Sequence, residues 1–330
     1  MPDSRPNDFI ADLSGLPSST ISTDSNPFNA FITACNNDLT TIRNAYESHR
    51  TKRNAAQAET FLRPGAQLAP DTILRDLLAR RAVDERNCLV IWARPPAHIL
   101  ALAQKVQAKM TAILPDSWQH WLMPLHNMHL TVVEAAFSQT PAEIHALVAR
   151  LRPHLPPIAH YTTTHRARLV RPYVSMDTSA FALSFLPAAG EPELSTQPPP
   201  GSATGCAPMS AAAAPVCAGD AYTYHHLRRD VYALVAQAGV QPAARYQVPS
   251  AHITLGRFVG ATGESIGAEE ARAFVRAVEE INQWLAATYA ANNDPVETAE
   301  WIIGQERGLD VRYGPVWYGG GKSLIVGEGF

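Results

Sequence analysis

The chain has little charge and no surplus of either sign. It has 330 residues, with 27 Lys and Arg against 30 Asp and Glu, a formal net charge of −3. Charged residues make up 17% of it, below the roughly 25% of an ordinary globular chain. Such a balance supplies no global basic field to hold long nucleic acid by phosphate neutralisation, which excludes a histone-like or general DNA-coating role. Long apolar runs are missing too. No segment approaches the ~18 consecutive apolar residues that span a bilayer, so no membrane partner is expected. From Met1 to Thr20 there are acids and prolines where a signal peptide would carry an apolar run. Cysteine is scarce: Cys35, Cys88, Cys206 and Cys217 form no CxxC pair and no dense framework. These absences predict reduced thiols in an intracellular protein, cytoplasmic or nuclear and not secreted.

Two things are plentiful. Hydrophobic residues are 46% of the chain, enough for a real core, and there are 26 prolines, a surplus that points to linker. Residues 1–27, rich in Ser, Pro, Asp and Asn, read as a disordered tail. The pattern from 28 to 86 reads as an N-terminal helical extension. Phe28, Phe31, Ile32 and Cys35 recur at helical spacing, Asn44 to Glu59 reads as a long solvated helix, and Asp71 caps a short helix with Ile73, Leu74, Leu77 and Leu78 on one face. The main domain is expected over 87–330. Within it, 25 of the 33 residues at 187–219 are Pro, Ala, Gly, Ser or Thr, a composition that reads as a disordered insertion.

The main domain reads as strands and helices in alternation. Cys88 to Ala93 is a buried strand ended by Arg94-Pro95-Pro96, and His98 to Leu114 a helix. Met128 to Glu134 is a strand, Pro141 to Leu151 a helix, and Leu169 to Val174 with Ala180 to Leu186 a hairpin. After the insertion come a helix at Tyr222 to Ala238, a strand at Ala251 to Val259, a helix at Glu269 to Ala291, and two or three strands between Trp301 and Val326. The second half loosely repeats the first, and segregated hairpins and helices predict an α+β fold.

The repeat carries the chemistry. His129-Leu130-Thr131 and His252-Ile253-Thr254 each lie in a strand flanked by apolar residues. Alternation in a strand projects His and Thr from one face while Leu130, Val132, Ile253 and Leu255 enter the core. A single His-x-Thr means little; two at matching places predict a cleft with two imidazoles and two hydroxyls. That set suits phosphodiester chemistry. One imidazole takes a proton, the other gives one, and the hydroxyls bind non-bridging phosphate oxygens. No metal or other cofactor is needed for that.

These two motifs resemble the signatures of the 2H phosphoesterase superfamily. The long helical N-terminus and the ending Gly314-Pro315-Val316-Trp317-Tyr318-Gly319-Gly320-Gly321 resemble its fungal branch of RNA ligase/cyclic nucleotide phosphodiesterase-like proteins. The resemblance covers roughly 87–330 less the insertion. It implies a bilobal fold of two pseudo-symmetric lobes, each with an antiparallel sheet and outer helices around a central cleft. It implies His129 and His252 as the acid/base pair, with His252 as base and His129 as acid, and Thr131 and Thr254 as phosphate ligands. The implied reaction is hydrolysis of 2′,3′-cyclic phosphates on RNA 3′ ends or nucleotides, to 2′-phosphates, by a monomer. RNA 2′-5′ ligation or its reversal, or a nucleotide-binding module without turnover, are the alternatives.

Further candidates are expected around the motifs. Arg257 reaches the cleft only if Gly256 bulges its strand. Tyr173 and Tyr224 are candidates for stacking a base, against burial in the core. Trp317 and Tyr318 beside three glycines are candidates for a flexible aromatic platform, against closing a hairpin. His126 reads as surface or supporting, His225-His226 as a solvated helix face, and Glu134 has no role by parity. Arg150, Arg152, Arg166, Arg168 and Arg171 form a cationic stretch without an acid between them.

Overall fold

The computed structural model describes residues 12–16, 25–191, 220–244, 247–260, 263, 265–289 and 298–330. Most of the tail and residues 192–219 of the insertion, with Cys206 and Cys217, lie outside the described residues.

Among the described residues, nine strands form two antiparallel sheets. The first has the order β3-β1-β8-β9, made of β1 (Asn87–Ala93), β3 (Leu130–Gln139), β8 (Arg307–Gly314) and β9 (Lys322–Glu328). The second has the order β2-β6-β5-β4-β7, made of β2 (His120–Leu122), β4 (Arg168–Met176), β5 (Ala180–Pro187), β6 (Ala251–Phe258) and β7 (Trp301–Ile302). The expected strands are present, and the three-residue β2 is an addition. It is too short to show a period in sequence. The chain is thus mixed α+β with two antiparallel sheets.

Among the helices, α4 (Ala97–Ile113) and α8 (Ala268–Thr288) lie close to the predicted bounds, and α5 (Pro141–Leu151) matches them. Helix α5 starts with Pro at its first position and a Thr140–Glu143 capping box. Helix α7 (Tyr224–Gln237) starts on a box of Thr223 with His226. A short α6 (Leu155–Ala159) completes the main region.

The N-terminal helices are α1 (Pro27–Ala34), α2 (Leu39–Leu62) and α3 (Thr72–Leu78). Phe28, Phe31, Ile42, Tyr46, Phe61 and Leu68 belong to the same continuous apolar core as Leu89, Ile91, Leu183, Ile253 and Val311. The solvated reading of Asn44 to Glu59 is corrected by this. Ala45, Tyr46, His49 and Asn54 are buried. Few of them are aliphatic, so the buried face leaves a weak apolar stripe in the sequence. The side-chain amide of Asn54 accepts from the Met176 amide and donates to the Val174 carbonyl. From α8, Asn282 bonds both backbone groups of Val174. Two amides thus close an edge of β4 that has no strand neighbour there. The predicted face of α3 is also corrected: Leu74 is buried while Leu78 is 51% exposed.

Candidate functional site

The first motif strand begins at Leu130 and not at Met128, so His129 lies just before it, but the alternation of faces holds in both motifs. Leu130, Val132, Ile253 and Leu255 are buried, whereas His129, Thr131, His252 and Thr254 are half-buried. Strands β3 and β6 belong to different sheets yet lie against each other. Alternation then breaks at the same place in both. Thr131 pairs Trp92 and Val133 pairs Ile91, so Val132 is an extra residue in β3. Thr254 pairs Ala182 and Gly256 pairs Phe181, so Leu255 is an extra residue in β6. Each bulge directly follows its Thr and reverses the later parity. In β6 it turns Arg257 onto the His252 face. In β3 it turns Glu134 onto the Thr131 face. Gly256 is required there, because a Cβ would come 2.3 Å from the Phe181 ring.

The two imidazoles are held differently. His129 Nδ1 donates to the Asn127 carbonyl at 2.8 Å, which places its lone pair on Nε2. Its ring stacks on Trp92, with centroids 3.7 Å apart and planes 13° apart. His252 Nδ1 meets the Ser250 hydroxyl at 2.9 Å. Among the described residues neither Nε2 nor either Thr hydroxyl has a protein partner. Burial pushes His129 down to about 3, with the Arg94, His252 and Arg257 charges adding and the Asn127 carbonyl opposing. Burial likewise pushes His252 down to about 4, aided by Arg53, Arg228 and Arg257 and opposed by Asp177. Both rings are therefore neutral at pH 7. The His252 charge acts on His129, and Arg257 acts on both rings, which sets the two near one another.

Supporting groups come from all over the chain. Arg94 donates to the carbonyls of His126 and Met128, either side of Asn127, and pairs with Asp310 at 2.8 Å. Tyr224 donates to the Thr131 carbonyl at 2.6 Å. Arg228 donates to the Val132 carbonyl and to the Val248 carbonyl, one guanidinium bridging the approaches to both motifs. Arg257 lies 3.6 Å from Asp71 and over the Tyr318 ring, and its Nε is buried without a partner.

No family model and no curated protein matches this chain. The site stands on its own geometry. Two neutral imidazoles with free Nε2 atoms can pass protons, and two free hydroxyls with Arg257 can hold tetrahedral oxygens. Among the described residues no group of three or more His, Cys, Asp or Glu could hold a metal ion.

The weaker candidates divide. Arg257 joins the site. Tyr224 does not stack a base: it is fully buried and its hydroxyl serves β3. Tyr173 lies two strands from His252 on the same face, by the register Tyr173–Ser184–His252. The Arg50 guanidinium already covers its ring. Trp317 and Tyr318 are no flexible platform. Trp317 packs on Phe137, and Arg86 lies over both rings. Tyr318 donates to Asp71 at 2.8 Å, while its carbonyl accepts from Asn127. A Cβ on Gly319 would lie 2.4 Å from Asn127, so the glycines let this loop pack on the turn before His129. His225 and His226 are buried, not solvated. Tyr46 bonds the first, and Thr223 and Asn37 the second. The cationic stretch disperses: Arg168 pairs with Asp220 and Glu300, Arg171 with Glu191, and Arg166 covers Phe330.

Sequence reasoning missed Trp92, Arg94, Asp310, Arg53, Arg228 and Asp71 as site residues. Trp92 and Arg94 had a signal: an i, i+2 pair at the end of a strand adjacent to the first motif.

Proposed function

We propose that this chain is a phosphodiesterase that opens 2′,3′-cyclic phosphates on RNA 3′ ends or nucleotides, using His129 and His252 and no metal. The reading includes the 2H-type bilobal arrangement, with the cleft between the two sheets. One observation carries it. Two His-x-Thr strands from different sheets share a bulge at the same motif position and bring two free Nε2 atoms and two free hydroxyls into one electrostatic neighbourhood.

The mechanism follows from the partners of each ring. Thr131, Thr254 and Arg257 bind the non-bridging oxygens and hold the phosphorus in line. His252 is kept neutral chiefly by burial, with Arg53, Arg228 and Arg257 adding, and serves as base. Water attacks phosphorus and its proton passes to His252 Nε2. The bond from phosphorus to the 3′ oxygen breaks, and His129 Nε2 delivers a proton to that oxygen. The product is a 2′-phosphate. His129 suits the acid role because the Asn127 carbonyl and the indole face both favour its protonated form. The bound phosphate anion supplies further stabilisation. Proton exchange with solvent then resets the pair.

The test is hydrolysis of 2′,3′-cyclic mononucleotides in excess chelator, with isomer analysis of the product. Turnover to a 2′-phosphate is expected. No turnover on mononucleotides or oligonucleotides, or a requirement for added zinc, overturns the reading.

A further inference from the structure

We propose that Trp92 is a positioning residue for His129: its indole face fixes the imidazole plane so that Nδ1 stays on the Asn127 carbonyl and Nε2 alone meets the substrate. The inference rests on the acid role given to His129 above, but its first readout does not need activity.

Trp92 sits directly opposite Thr131 in the β1–β3 register, so indole and hydroxyl share a face. It is 1% exposed and lies 3.7 Å from the imidazole centroid, nearly parallel to it. An imidazolium carries a proton on each nitrogen, and as general acid it must give up the one that faces the leaving oxygen and keep the other. An imidazole can fail at this in two ways, by the wrong tautomer or by a ring flip. The Asn127 carbonyl opposes the wrong tautomer, since it needs a donor at Nδ1. A single hydrogen bond leaves the ring free to swing about its own axis. A flat surface against the whole ring removes that freedom, and its π face attracts the imidazolium once formed.

The surroundings of Trp92 fit this task. Two residues on, Arg94 braces the carbonyls on either side of Asn127, so ring and carbonyl are set from one strand end. Asp310, directly opposite Trp92 on β8, takes the other side of Arg94 and lies 3.6 Å from Arg312. Asp310 is 1% exposed, which fixes Arg94 in turn. His252 has no equivalent: among the described residues no aromatic ring packs on it. A base that meets water tolerates more angular freedom than an acid that must meet one leaving oxygen.

The experiment uses the full chain and the variants Trp92→Leu and Trp92→Phe. Long-range nitrogen–proton NMR at neutral pH reports the His129 tautomer, and kinetics on a 2′,3′-cyclic mononucleotide report kcat and KM separately. The wild type is expected to show His129 as the Nδ1–H tautomer, with ring protons shifted upfield by the indole. Trp92→Leu is expected to mix the tautomers and lower kcat about tenfold or more with KM within about twofold. Trp92→Phe is expected to restore both. A folded Trp92→Leu protein that keeps one tautomer and wild-type kcat overturns the proposal. Should that variant not fold, a folded Trp92→Phe protein with mixed tautomers overturns it. A wild type that shows the tautomer result but no turnover leaves Trp92 in place and removes the phosphodiesterase reading instead.

Discussion

The His129 ring is braced by a stacked indole and a held backbone carbonyl, whereas the His252 ring lies among cations from two helices and its own strand. Beside His129, β1 supplies a stacked indole, and Arg94, the residue after the strand, is itself held by Asp310. Around His252 lie Arg53 from α2, Arg228 from α7 and Arg257 from its own strand. Arg53 is paired with Asp177. The same His-x-Thr motif, with the same bulge after it, thus sits in two settings. Burial holds both rings neutral, but an indole face and a carbonyl orient one while arginines surround the other.

The comparison breaks most plainly at the imidazoles. His129→Ala and His252→Ala are each expected to lower kcat by about 10²–10⁴-fold on a cyclic mononucleotide. Near-wild-type turnover in either variant would remove that ring from the reaction. The wild-type rate is expected to trace a bell against pH. His129→Ala should abolish its alkaline limb and His252→Ala its acid limb; the opposite pattern exchanges the two roles.

The hydroxyls test whether the two strands bind phosphate alike. Thr131→Val and Thr254→Val are each expected to cost about tenfold to a hundredfold in kcat/KM, with melting temperatures close to wild type. Equal losses support one phosphate shared by both strands. A loss at one site alone assigns phosphate binding to that strand.

The bulge gives a smaller, structural effect. Gly256→Ala drives a methyl into the Phe181 ring and is expected to cost about 1–3 kcal/mol in denaturant unfolding. It should also weaken substrate binding by displacing Arg257. Adding Phe181→Ala should recover binding more than stability, because it makes room for the methyl but leaves a gap in the core. No recovery of KM in the double variant would detach Arg257 from the bulge.

Acid sharpens the comparison least, since both rings respond in the same direction. His49, His226 and His252 are held at about 4 and His129 at about 3, each chiefly by burial, and His225 is also pushed well down. The unfolded chain takes up these protons near pH 6.5 while the folded chain refuses them. Stability is therefore complete above about pH 6.5 and falls progressively as pH drops toward 4. Melting temperatures that stay flat from pH 7 to 4 would contradict the buried, neutral state of these rings. A phosphate ligand should narrow the loss, because it favours the protonated form of the two cleft histidines alone.

Much of this was legible beforehand. Pro141 and the alternation of Leu130 with Val132 are local signals, and local signals predict local structure. The motif faces followed from a period of two. What was not legible follows a pattern. His225 and His226 read as surface because a polar helix face shows no partner in sequence; their partners include Tyr46 and Asn37, far along the chain. The Gly-rich end left open a flexible platform or a closed hairpin, because glycine permits motion as well as tight turns. Here it permits close packing instead, against Asn127. Arg257 was left conditional on a bulge, and the condition is met.

By itself, the sequence determined the α+β class, the two His-x-Thr strands and the face each pair presents. Those follow from periodicity and side-chain chemistry within a few residues. Only the tertiary structure decided that the two strands meet across different sheets. It alone decided that both bulge after the threonine, that Trp92 and Arg94 attend one histidine, and that arginines from α2 and α7 attend the other. The reason is physical. Which imidazole takes a proton and which gives one depends on charges and surfaces within a few ångströms, and here those come from residues scattered between Arg53 and Asp310.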